Sequence, residues 1–222
     1  MLILALDAST PVITIAVARA EDGQREILAE ISVTARGASG ALLPSIHAAL
    51  NFAGEELGAV ERVLAGVGPG TFTGIRIAVS TARAIALGTG ASLARNSTLA
   101  ALAAPALTVT PDVLAVLDAK RGEVFAQRFS HAGEGEIFCV KPEELSVEGG
   151  PFIVGDGAVR YRDRISHLGL IPPDDSPLHR VTAAGHVMSA DLSVVEAGDL
   201  APIYVRQPDA EVRRDLNPWS RP

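Results

Sequence analysis

Three stretches crowded with apolar residues open the chain: LILALDAS from Leu2, VITIAVARA from Val12 and REILAEISVTA from Arg25. Turn residues separate them, Thr10 and Pro11 first, Asp22 and Gly23 second. Short β-rich runs divided in this way predict an antiparallel meander. The spacing of apolar positions then changes to three and four. Leu42, Leu43, Ile46, Ala49, Leu50 and Ala53 mark one face of a helix over 41–53. A buried strand over 62–68, a glycine-rich turn, a helix over 72–87, a short strand over 91–94 and a helix over 98–103 follow, giving the order βββαβα. Pro105 and Pro111 bound a linker.

What comes next resembles what came first. DVLAVLDAKRGEVFAQRF from Asp112 repeats the logic of LILALDASTPVITIAV: an apolar strand ending in Asp-Ala, a tight polar turn and a second strand. EIFCV from Glu136 supplies a third strand, PEEL from Pro142 a short helix start, and PFIVGDGA from Pro151 another strand and turn. A further helix is expected over 182–190. The pattern suggests a duplicated α/β fold, with chance similarity between two hairpins as the alternative. The halves are read as 1–105 and 106–207, followed by a polar, proline-bearing tail over 208–222 expected to be mobile.

With 222 residues, 48% of them hydrophobic, the chain is long enough to bury about 70% of its unfolded surface. Its formal charge of −7 argues against gripping a nucleic-acid backbone unaided, because neutralising phosphates needs a basic patch. Cys139 is the one cysteine, so an intramolecular disulfide and a multi-cysteine metal site are excluded, and a reducing, cytoplasmic setting is expected. No stretch reaches the ~20 apolar residues of a membrane span. The apolar start, one strand long and without a basic flank, reads as a core strand and not as a signal peptide.

The most specific motif is GVGPGTFTG at 66–74, placed after a strand and opening a helix. Gly68, Gly70 and Gly74 permit close approach or positive φ, and Thr71 or Thr73 is placed to cap the helix. A free helix start can hold an anion, but this is neither a P-loop nor the dinucleotide fingerprint. A turn needed only for strand-to-helix packing is the competing reading. Asp7, Ser9 and Thr10 stand at a strand end where they could approach a metal-bound phosphate, or simply bond their own turn. Asp118 holds the equivalent place in the second half. Lys120 and Arg121 follow it where a phosphate hairpin would want small residues. His47, His131, His167, His179 and His186 include no pair at i, i+4, so no metal site is expected. His47 is expected at a helix surface and the other four in loops or helix ends. Cys139 sits in an apolar strand, and no G-x-S-x-G is present. In IRIAVSTARAIALG, the small residues Ala78, Ala82 and Ala86, with Val79 beside them, would let another helix approach closely.

ILALDAST, LLPSI, VGPGTFTGIRIAVSTARAIA, LDAKRGEVF, VGDGA and PIYVR, in that order over nearly the whole chain, resemble the TsaB (YeaZ) family. This family serves the bacterial system that installs threonylcarbamoyl on the adenosine next to the anticodon of certain tRNAs. The resemblance implies an actin-like, Hsp70-like ATPase fold with two RNase-H-like βββαβα halves. It implies a non-catalytic subunit without cofactor, which pairs with the catalytic paralogue TsaD through the two first-half helices and is joined by the ATPase TsaE. The family is similar to that paralogue, an M22 glycoprotease-like protein. The paralogue's metal-binding histidines lie in a helix where this chain has His47 alone, so metal and transferase activity are expected to be absent. The partner interface is carried over to Leu43, Ile46, His47 and Leu50 on the first helix and to Arg76, Val79, Ser80, Ala82 and Arg83 on the second. Asp7, Ser9, Thr10, Gly68, Gly70 and Asp118 become a vestigial phosphate site. A link to the threonylcarbamoyl-adenylate synthase, contact with tRNA only through the complex, and a homodimer of the isolated chain are also implied. Where the family often has a His-Ser-Glu-like stretch before LLP, this chain has Ala38, Ser39 and Gly40, so contacts made there are lost or replaced. A nucleotide-binding phosphotransferase or ATPase of the same fold, acting alone, is the alternative reading. A peptidase is weaker still, because paired metal ligands are missing.

Overall fold

The computed structural model describes residues 1–34, 38–130 and 133–205. The tail read at 208–222 and His131 lie outside them. The opening meander is β1 (Leu2–Asp7), β2 (Val12–Glu21) and β3 (Gln24–Thr34). Asp22 (φ 50°) and Gly23 (φ 79°) form the two-residue turn between β2 and β3. An Asp-Gly loop suits this geometry because both central residues need positive φ. Helix α1 (Ala38–Ala53) leads to β4 (Arg62–Gly66), α2 (Phe72–Thr89) and β5 (Ser92–Asn96). The first sheet has the order β3-β2-β1-β4-β5, with β4 parallel to β1 and to β5. Every residue of β1 is buried, as a central strand covered on both faces requires.

Helix α3 (Thr98–Leu107) runs past the break expected at Pro105. The Ser97 hydroxyl accepts from the amides of Leu99 and Ala100 at its start, and Pro105 lies so near its end that few helical bonds are forfeited. The second half comprises β6 (Asp112–Lys120), β7 (Glu123–Ser130), β8 (Gly133–Glu134), β9 (Phe138–Val140) and β10 (Phe152–Val154). Its sheet has the order β10-β6-β7-β8, with β9 also on β7. Where the first half has α1 between β3 and β4, the second has between β9 and β10 only a 3-10 turn, Pro142–Glu144. The segment expected to turn after β10 instead forms two short helices, α4 (Asp156–Arg160) and α5 (Arg162–Ile165). Helix α6 (Ala183–Ser189) closes the set.

The layers run α–β–α–β–α. α1 and α2 cover the outer face of the first sheet through Leu42, Ile46, Ile75 and Val79, while α6 covers its inner face through Ala183 and Val187. α3 covers the inner face of the second sheet and Tyr161 and Ile165 its outer face. Each half of the sequence thus lends a helix to the other half's sheet. The two inner helices lie side by side so closely that a Cβ on Gly185 would strike the Ala101 carbonyl. Both ends of α6 are held by β3. Glu30 accepts from the amide of Ala184, and Arg25 donates to the carbonyls of Val187, Met188 and Ala190.

Candidate functional site

At the end of β1 the turn bends Asp7 back into the protein. One carboxylate oxygen accepts from the amide of Ser9 (2.5 Å); the other accepts from the Thr98 hydroxyl (3.0 Å) and meets His186 Nε2 (2.7 Å). Ser9 and Thr98 share a hydroxyl–hydroxyl bond of 2.9 Å. Asp7, Ser9, Thr98 and His186 are all buried, His186 completely. Burial pushes the Asp7 pKa up, but the hydrogen bond and charge of His186, with the Ser9 bonds, more than offset it and hold the carboxyl below its ordinary value. His186 Nδ1 is buried without a partner among the described residues.

The glycine block packs on this turn. A Cβ on Gly66 would fall into the Asp7 carboxylate, one on Gly70 into the backbone of Ser9, and one on Gly74 into the Ala8 carbonyl. The Gly68–Pro69 peptide is cis and Gly68 has φ 96°. The glycines thus bring two chain segments into contact, and the Ser9 carbonyl itself takes the Thr71 amide (2.7 Å). Thr71 is the N-cap of α2 by position, yet its side chain makes no capping bond, contrary to expectation. Thr10 joins none of this, since its hydroxyl serves Val12 locally.

Asp118 stands apart in the second sheet. Lys120 binds it through both backbone amide (2.9 Å) and ammonium (2.8 Å), and Arg160 lies 3.4 Å away. Burial raises its pKa; the Lys120 bonds and the charges of Lys120 and Arg160 bring it below the ordinary value. Lys120 (φ 63°), Arg121 (φ 57°) and Gly122 (φ 80°) wind the turn left-handed. Asp156, which sequence reasoning passed over, accepts from the Asp118 amide, and burial pushes its pKa up. No group of three potential metal ligands occurs among the described residues.

The histidines need correction: His179 and His186, expected as solvated groups in loops or helix ends, are buried. The reason is long-range. Asp7 and His186 are 179 positions apart, and nothing local to either announces the pair. The interface residues divide. Leu43 (58% exposed), His47, Arg76, Ser80 and Arg83 face outward, whereas Ile46, Leu50, Val79 and Ala82 are core. The row Ala78, Ala82 and Ala86 turns inward because Ile75, Val79 and Ile85 flank it with aliphatic bulk. A parallel row, Arg76, Ser80, Ala84 and Gly88, faces out.

Between that row and α1 runs a shallow groove, seen as adjoining concavities of about 480 and 490 Å³. Leu43 and Phe72 line it, and Leu87 (89% exposed) stands on the outward side of α2. At one end Tyr204 stacks on Phe72 (5.4 Å), and the Arg76 guanidinium lies 3.8 Å over the Phe72 ring while donating to the Tyr204 hydroxyl (3.2 Å). No helix among the described residues is long and apolar enough to cross a membrane.

Two duplicated sheets with helices between and outside them define an actin-like ATPase fold. The family described as "TsaD: tRNA N6-adenosine threonylcarbamoyltransferase" matches residues 29–146. An uncharacterized protein of Mycobacterium tuberculosis is 30% identical over 213 residues, covering 94% of this chain and 93% of the relative. The Escherichia coli tRNA threonylcarbamoyladenosine biosynthesis protein TsaB is 28% identical over 225 residues, covering 93% and 95%. YeaZ from Pseudomonas aeruginosa superposes with a TM-score of 0.77 at 25% identity, covering 92% of this chain and 99% of that one. The chain belongs to the TsaB/YeaZ family.

Proposed function

We propose that this chain is a non-catalytic subunit of the machinery that transfers threonylcarbamoyl to the adenosine next to the tRNA anticodon. It acts by binding the catalytic paralogue TsaD, with the ATPase TsaE joining that pair. The observation that carries the reading is the contrast between its two candidate sites. The Asp7 turn is filled by the protein's own groups, every carboxylate oxygen already partnered, whereas the α1–α2 groove is open and lined mainly by apolar groups, the kind of surface an amphipathic helix covers. Asp7 in this state offers no free oxygen to a metal–nucleotide, which weighs against a phosphotransferase acting alone. A homodimer through the same groove is the expected substitute when the paralogue is absent.

The test is reconstitution: threonylcarbamoyl transfer to tRNA by TsaD, TsaE and the threonylcarbamoyl-adenylate synthase, with and without this chain. Modification that depends on the chain, with no turnover by the chain alone, supports the proposal. Dispensability, or ATP hydrolysis by the isolated chain, overturns it.

A further inference from the structure

The two helices that form the groove carry positive formal charge only. The chain has 26 acidic residues against 19 basic ones, yet neither α1 (16 residues) nor α2 (18 residues) contains a single Asp or Glu. Their only formal charges are Arg76 and Arg83, both exposed. Both are held by neutral groups. Arg76 rests on Phe72 and donates to the Tyr204 hydroxyl, and Arg83 donates to the Leu200 carbonyl (2.9 Å). Among the described residues neither arginine has a carboxylate partner. Each guanidinium is therefore fixed in place with hydrogen-bonding capacity to spare, beside an apolar floor that small residues leave low.

We infer that the groove takes a helix of acidic flank: an apolar ridge seated between α1 and α2, with carboxylates along the side that meets Arg76 and Arg83. This rests on reading the groove as the subunit contact, and it adds the partner's chemistry. The apolar floor supplies burial, and the arginines select orientation and reject cationic competitors. A nucleic-acid backbone fits less well, because two cations beside an apolar floor neutralise too few phosphates.

The experiment uses the full chain and three synthetic helical peptides of about 18 residues, matched in length to α2. They share one Leu/Ala ridge and differ only in carrying Glu, Gln or Lys along one flank. Binding is followed by fluorescence anisotropy at about 50 and about 300 mM salt, which spans strong and weak screening. The Glu peptide is expected to bind more tightly than the Gln peptide by about threefold to tenfold at low salt, the range for rim ion pairs, and to lose most of that advantage at high salt. Arg76→Glu with Arg83→Glu should reverse the order of Glu and Lys peptides, and Leu43→Asp should weaken all three. Equal binding of the three peptides, a preference for Lys, or no binding at all overturns the inference. So does a structured RNA that displaces the Glu peptide, which would assign the arginines to phosphates. Binding that appears only when the chain is ended at Val205 would assign the groove to residues 206–222 and overturn it too. None of these readouts uses the paralogue, so failure of the subunit reading is scored separately, in the reconstitution.

Discussion

Replacing His186 by alanine removes the imidazole that meets the fully buried Asp7 carboxylate at 2.7 Å. Asp7 would keep the Ser9 amide and Thr98 hydroxyl, but its charge would stand uncompensated in a dry interior. Breaking a buried pair on one side costs about 3–5 kcal/mol, and a deleted imidazole leaves a cavity besides. Against a total stability of about 5–15 kcal/mol this is a large fraction, and it lowers Tm by about 6–20 °C in a chain of this size. Urea unfolding followed by tryptophan-independent circular dichroism measures it as a shift in midpoint at constant slope. The pH dependence gives a second check. Because the folded Asp7 pKa is depressed, its contribution is present above the unfolded value of about 3.9 and is lost as pH falls through the folded value. His186→Ala should flatten that acid limb, and Asp7→Asn should remove it. A loss below about 1 kcal/mol, with the acid limb unchanged, would refute the claim that His186 is what holds the Asp7 carboxyl below its ordinary pKa.

Asp156→Asn should stabilise the protein at neutral pH and leave it unchanged in acid, since a raised folded pKa means that stability is lost as pH climbs above the ordinary carboxylate value; urea midpoints across pH check it. Gly66→Ala should cost at least about 1–3 kcal/mol, because a Cβ there meets the Asp7 carboxylate, whereas Gly88→Ala, which meets nothing within 4 Å, should gain up to about 1 kcal/mol of helix propensity; thermal melts separate them. Val79→Glu should unfold the chain and Leu43→Asp should leave Tm within about 2 °C while abolishing association with the paralogue, read by melting and by size-exclusion chromatography.

The elements were legible wherever local pattern decides them. The meander, the helices α1 and α2, the glycine turn between β4 and α2, and the repeat of the first hairpin by the second can all be read from residue spacing. The limits were physical as well. Pro105 signals a break by its missing amide, but so near a helix end the signal exceeds the cost. On α2 two rows of small residues occur at the same spacing, and periodicity alone does not say which turns inward. The sheet packing decides, and it buries Val79 and Ala82. The Asp7 site was half visible, through Asp7, Ser9 and the glycines. Thr98 and His186 come from distant segments, and their pairing follows from how the inner helices cross between halves.

That crossing also bears on synthesis. The inner face of the first sheet, with Ile3, Ala5, Ala16, Leu64 and Ala94, is capped by α6. The sheet's last strand ends at Asn96, and the capping helix ends only at Ser189. At ~5–20 residues translated per second, roughly 5–20 s pass while that apolar face lacks its cover. During that interval the exposed aliphatic face is open to non-native association. The cover arrives with the segment that carries His186.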